Sequence, residues 1–149
     1  MKNEVKIAGN TIFIAYDGKI NIRSLYDIFF CESCLHYCEI YFDPVKILVD
    51  QNAISKPNLQ PTENSLLNNT DACKPLVAPI GIHHLALLLP CDSFCMIHRH
   101  CIVYMGILRK ATIEANKIIF GKYILNISRY NIEEFLEKLN KFRFPGIAE

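Results

Sequence analysis

The chain has 149 residues, 51% hydrophobic and 21% charged. That excludes wholesale disorder and predicts one domain, with apolar material for one sizeable core and too little length for two ordinary ones. A formal net charge of +1 excludes a global field drawing the chain onto nucleic acid or an anionic membrane, so any such contact rests on local patches.

In chain order, the opening "MKNEVKIAGN" lacks the apolar core of a signal peptide. "NTIFIAYDGKINIRSLYDIFF" then sets Asp17-Gly18 between two apolar stretches, a hairpin signal because both central turn positions need positive φ. "CEIYF" and "VKILVD" read as two more short strands, broken at Asp43-Pro44, where proline withholds a ladder donor. Residues 51–75, "QNAISKPNLQPTENSLLNNTDACKP", are dense in Asn, Pro, Ser and Thr without a sustained period. They read as a long loop, with Leu66-Leu67 available to pin it.

"PLVAPIGIHHLALLLP" and "CMIHRHCIVYMGIL" read as strands, and "NKIIF" and "KYILNIS" flank Gly121 as a second hairpin. No apolar run reaches the roughly 18 to 20 residues of a membrane span. The helix is "NIEEFLEKLNKF", where Ile132, Phe135, Leu136 and Leu139 follow the spacing of one buried face. Asn131 is placed to cap it, with Glu134 completing a capping box. Pro145-Gly146 then bars further helix. The expectation is a mainly β (α+β) domain over residues 1–140, with a C-terminal amphipathic helix and a tail at 141–149.

Seven cysteines, an odd number without a secretory signal, argue for reduced thiols in the cytosol or nucleus. Cys31-x-x-Cys34 has the separation that lets two thiolates share a tetrahedral zinc, and Cys91 with Cys95 supplies a second pair; His98, His100 and Cys101 are nearby alternatives. The same residues also read as core. In one strand from Cys95 to Met105, the side chains of Cys95, Ile97, Cys101 and Val103 share a face with Arg99, and His98 and His100 lie opposite. A deaminase-type zinc site needs His-x-Glu, and the cysteines after Pro90 have the wrong spacing. A Cys-His nucleophile pair is a matter of geometry that sequence separation does not show, and no nucleophile elbow or phosphate-cradling glycine loop is present. His83 and His84 would face opposite ways in a strand. These readings predict no enzyme, no small-molecule substrate and no cofactor beyond a structural zinc.

Basic residues cluster twice. Arg109-Lys110 closes a predicted strand, and Lys138, Lys141 and Arg143 run from the helix into the tail, where Lys141, Phe142, Arg143 and Phe144 alternate cation and aromatic. That combination can hold phosphates and stack on bases. Cations at a helix C-terminus are also favoured by the dipole alone.

"LLLPCDSFC", "HRHCIVYMGILRKATIEANKII" and "FGKYILNIS" together resemble the C-terminal half of the Simiate, or actin-binding transcription modulator, family. The matching positions are Cys91, Cys95, Cys101, Gly106, Leu108 and Tyr123, and "FFCESC" is similar to the family's upstream cysteine pair. The resemblance implies a lipoyl or glycine-cleavage H-protein-like fold, a flattened β barrel-sandwich, although neither hairpin carries an Asp-Lys turn for a lipoyl arm. The Ile-, Asn- and Lys-rich composition and short form further resemble a microsporidian ribosome dormancy factor. That implies docking on small ribosomal subunit proteins and rRNA in the cytoplasm and occlusion of the exit site, with Arg109, Lys110, Lys138, Lys141, Arg143 and Phe144 as RNA contacts. The alternatives are a Simiate-like partner of actin or nuclear proteins and a small zinc enzyme. No membrane partner is expected.

Overall fold

The computed structural model describes residues 2–42 and 74–142. The strand expected at "VKILVD", the break at Asp43-Pro44, nearly all of the 51–75 segment, and Arg143 and Phe144 of the tail lie outside the described residues.

Eleven strands among the described residues form three antiparallel sheets. In the first, β1 (Glu4–Ala8), β2 (Thr11–Tyr16) and β3 (Lys19–Ser24) run in order. The β2–β3 turn is the expected one: Tyr16 pairs with Lys19, and Asp17 (φ 52°) and Gly18 (φ 75°) both take the left-handed conformation. β1 was not anticipated. It pairs along β2 from Glu4–Ala15 to Ala8–Thr11, through a turn in which Gly9 has φ 58°.

The central sheet has the order β6 (Leu76–Ala78), β5 (Tyr37–Phe42), β4 (Ile28–Cys34), β8 (Cys101–Tyr104), β7 (Phe94–His98). Its register sorts side chains cleanly. Cys31 stands opposite Ile40 and Ile102, and Cys38 opposite Ala78, so these residues share one face; Phe30, Val103 and Cys95 share the other. Both faces are covered. Ile12 and Ile14 of the first sheet pack on one face, and Ile118, Phe120 and Phe135 on the other, which produces two cores separated by the central sheet. β8 is therefore buried at all four positions, and it is the continuous apolar run of a strand covered on both sides.

The third sheet is β9 (Thr112–Glu114), β10 (Lys117–Phe120) and β11 (Tyr123–Asn126), with the expected hairpin at Gly121 (φ 58°). Among the described residues none of the three sheets closes on itself. The fold is mainly β with a C-terminal helix, as expected, but it is not a barrel.

Three segments depart from expectation. Within "PLVAPIGIHHLALLLP" only Leu76–Ala78 is extended; Ile82–Leu88 forms helix α1, which turns Ile82, Leu85 and then Leu89 into the first core at i, i+3 and i+7 spacing. "CMIHRHCIVYMGIL" is not one strand. It folds back at Arg99-His100 between β7 and β8, then continues as a 3-10 helix over Met105–Lys110, so Arg109-Lys110 ends a helical turn. The C-terminal helix α2 (Ile132–Lys141) is present, but its buried face is Ile132, Phe135, Leu139 and Phe142, and Leu136 is 44% exposed. Asn131 does not cap it: the Ser128 hydroxyl donates to the Asn131 carbonyl oxygen of the side chain, and Glu134 pairs with Lys138 at 3.5 Å.

Candidate functional site

β4 and β8 are antiparallel neighbours, so the end of one lies beside the start of the other, and their loops meet. The Ser33 amide donates to the His100 carbonyl at 2.8 Å, joining the β4–β5 turn (Leu35-His36) to the β7–β8 turn (Arg99-His100). The segment before α2 is tied to the same place by the Ser128 amide, which donates to the Ile97 carbonyl at 2.8 Å. The first turn of α1, with His83 and His84, completes the group. All five histidines of the chain, His36, His83, His84, His98 and His100, thus belong to one loop-bearing end of the molecule.

Two open cavities shape this end, and Arg99 and His100 line both. One, of about 430 Å³, is lined also by Met96, His98, Ser128, Tyr130 and Asn131. The other, of about 540 Å³, takes in Ser33, Leu35, Gly81, Ile82, His83 and His84.

Arg99 and Arg129 are exposed, and among the described residues neither is held by an ion pair or side-chain hydrogen bond. Tyr130 is 97% exposed, so its ring is free of packing. Glu32, which directly faces Cys101 across β4 and β8, is the acidic group acting on His98. Desolvation lowers the His98 pKa below the ordinary imidazole value; neighbouring His100 lowers it further, and Glu32 opposes both. His98 Nδ1 also accepts the His100 backbone N–H at 3.1 Å, which leaves Nε2 to carry the proton of the neutral ring. The Ser33 hydroxyl lies 2.7 Å from His100 Nδ1. The arrangement offers unneutralised guanidinium groups, imidazole N–H donors and an exposed aromatic face, the functional groups that hold phosphates and sugars.

The sequence-based zinc ligands are not brought together. Cys31 and Cys34 lie on opposite faces of β4, Cys31 buried in the first core and Cys34 exposed. Cys95 is buried in the second core, and Cys91 is exposed beyond α1. Among the described residues no group of three or more His, Cys, Asp or Glu side chains is placed to hold a metal ion. Cys95, Ile97, Cys101 and Val103 do share the second core, though from two strands.

The basic residues are likewise dispersed. Lys138 and Lys141 line a cavity of about 410 Å³ with Cys91, Asp92, Ser93 and Phe142, at the C-terminal end of α2. Along the axis of α2 they stand about 9 and 14 Å beyond its first residue, Ile132. Each is paired four residues back, Lys138 with Glu134 and Lys141 with Glu137, and Lys138 Nζ also donates to the Phe94 carbonyl. Arg109 and Lys110 are exposed at the end of the 3-10 helix. Sequence reasoning passed over Arg99, Arg129 and Tyr130. The signal for the first is the His98-Arg99-His100 run itself, too polar to sit in the middle of one buried strand.

No family model matches the chain, and no curated protein does. A solved structure with a similar fold is the LytTr DNA-binding domain of a Bacillus cereus protein described as a methyl-accepting/DNA response regulator. The likeness covers 89% of this chain and 98% of that one, at a TM-score of 0.56 and 11% identity, and at that identity it concerns the fold. It overturns the resemblance to the Simiate family. The dormancy-factor reading, with its small-subunit proteins, rRNA and exit site, goes with it, and neither the actin and nuclear-protein alternative nor the zinc enzyme gains support. No helix among the described residues is long and apolar enough to cross a membrane.

Proposed function

We propose that this chain is a non-enzymatic DNA-binding module that meets the duplex through its histidine-bearing end. The observation that carries the reading is Arg99 at the tip of the β7–β8 hairpin, exposed, unneutralised among the described residues and lining two cavities. β8 is flanked by β4 as far as the turn, so it is the loops at this end, with Arg99 among them, that meet a groove about 12 Å wide. In this reading Arg99 and Arg129 contact phosphates, His98 donates from Nε2, and Tyr130 packs against a sugar or base. The similar fold of a domain described as DNA-binding supports it. Chemistry at a metal or cofactor has no part in it.

With a formal net charge of +1, little non-specific attraction is available, so affinity should depend on few contacts. Fluorescence anisotropy with a labelled duplex, repeated across a salt series, tests this. If two phosphates are engaged, the slope of log affinity against log salt is about −2, and Arg99→Ala lowers its magnitude by about 1. Absence of binding at low salt rejects the reading.

A further inference from the structure

His98 and His100 are near neighbours, their ring centroids 6.3 Å apart, but their hydrogen bonds are of different kinds. His98 Nδ1 accepts from a backbone N–H, a donor that cannot reverse, so protonating that nitrogen breaks the bond. His100 Nδ1 faces a hydroxyl, which can donate to a neutral ring and accept from a protonated one. Protonation costs one ring its bond; the other can gain a proton and keep its partner.

We propose that His100 couples DNA binding to pH, taking up a proton as the duplex binds, while His98 beside it remains a neutral donor. The inference rests on the DNA-binding reading above. Its setting is mainly cationic or neutral, with one acidic group. Lining the two cavities with the pair are Arg99 from the same turn, His83 and His84 from α1, and Tyr130 from the segment before α2; His36 and Arg129 are carried by the adjoining loops. Glu32 is the acidic group from β4. A phosphate arriving beside His100 favours the imidazolium, and linkage then requires that lower pH tighten binding. Histidine is the side chain whose charge changes in this pH range.

The experiment is duplex anisotropy at fixed ionic strength from about pH 8 to about pH 6, with the intact chain. Wild type should tighten about three- to tenfold across that range, the scale of one added cation near a phosphate. His100→Gln should abolish most of the tightening, His98→Gln should keep it, and His100→Arg should bind at the upper pH as wild type binds at the lower. The His100 ring resonances, followed by NMR, should titrate at higher pH with duplex present than without, which a purely structural role would not produce. A pH dependence that survives His100→Gln, or vanishes in His98→Gln, overturns the proposal and leaves DNA binding standing. No binding at any pH overturns both.

Discussion

Cys31 and Cys34 are separated by only two residues of β4, yet Cys31 is fully buried on one face of the central sheet and Cys34 is exposed on the other. Odd spacing in a strand always has this effect, because successive side chains alternate sides. A Cys-x-x-Cys spacing that would serve a metal in a loop therefore divides its thiols here between core and solvent.

Thiol chemistry should report that division. In a Cys73→Ser background, Cys34 and Cys91 are expected to react at once with an aromatic disulfide reagent, and Cys31, Cys38, Cys95 and Cys101 only after denaturant is added. Protection of all six until a chelator is present would show instead that a metal holds them.

Buried thiols also predict how stability responds to alkali. Burial pushes the Cys38 thiol up to about 11, and burial with Glu32 nearby pushes Cys101 up to about 12; Cys31 is raised by burial, then by Cys38 and Cys101. The folded chain thus holds these protons longer than the unfolded chain does. Their contribution is complete below the unfolded thiol value of about 8.5 and is lost as pH rises toward about 11 to 12. Urea titrations of wild type and Cys101→Ala should differ by about 1 kcal/mol near neutral pH, the scale of a small core deletion. That gap should shrink above about pH 9, and a gap that stays constant would argue against the assignment.

Gly106 is required by its neighbour. A Cβ there would lie 2.5 Å from the Tyr104 ring, which is itself buried and packed on Phe94 at 5.1 Å and Tyr26 at 6.0 Å between centroids. Gly106→Ala should cost about 1 to 3 kcal/mol by overpacking, read as a lower denaturation midpoint with an unchanged slope. A neutral substitution would mean that the ring can swing aside.

The hairpins at Asp17-Gly18 and Gly121 were legible in the sequence because their left-handed turn positions require particular residues, and α2 because three turns of apolar spacing leave little choice. The β7–β8 hairpin was not. Neither Arg99 nor His100 has positive φ, and a register shift between Met96 and His98 accommodates the turn, so no glycine or asparagine marks it. α1 was hidden for a different reason: a short, largely apolar segment fits strand or helix equally, and Gly81 supplies no side-chain cap. These two misreadings concealed the candidate site. A continuous strand buries Arg99 beside the cysteines and separates His83 from His84, whereas the real hairpin and helix carry all of them to one end of the central sheet.

Duplex affinity of two double variants tests the central claim most directly. Arg99→Ala with Arg129→Ala should weaken binding at least tenfold, since removing a charged hydrogen bond to a phosphate costs about 1 to 2 kcal/mol per site. Lys138→Ala with Lys141→Ala, which removes cations already paired with Glu134 and Glu137, should leave affinity within about twofold. The opposite ranking, with the lysine pair essential and the arginine pair dispensable, would contradict the account and move the DNA-binding surface to the far end of α2.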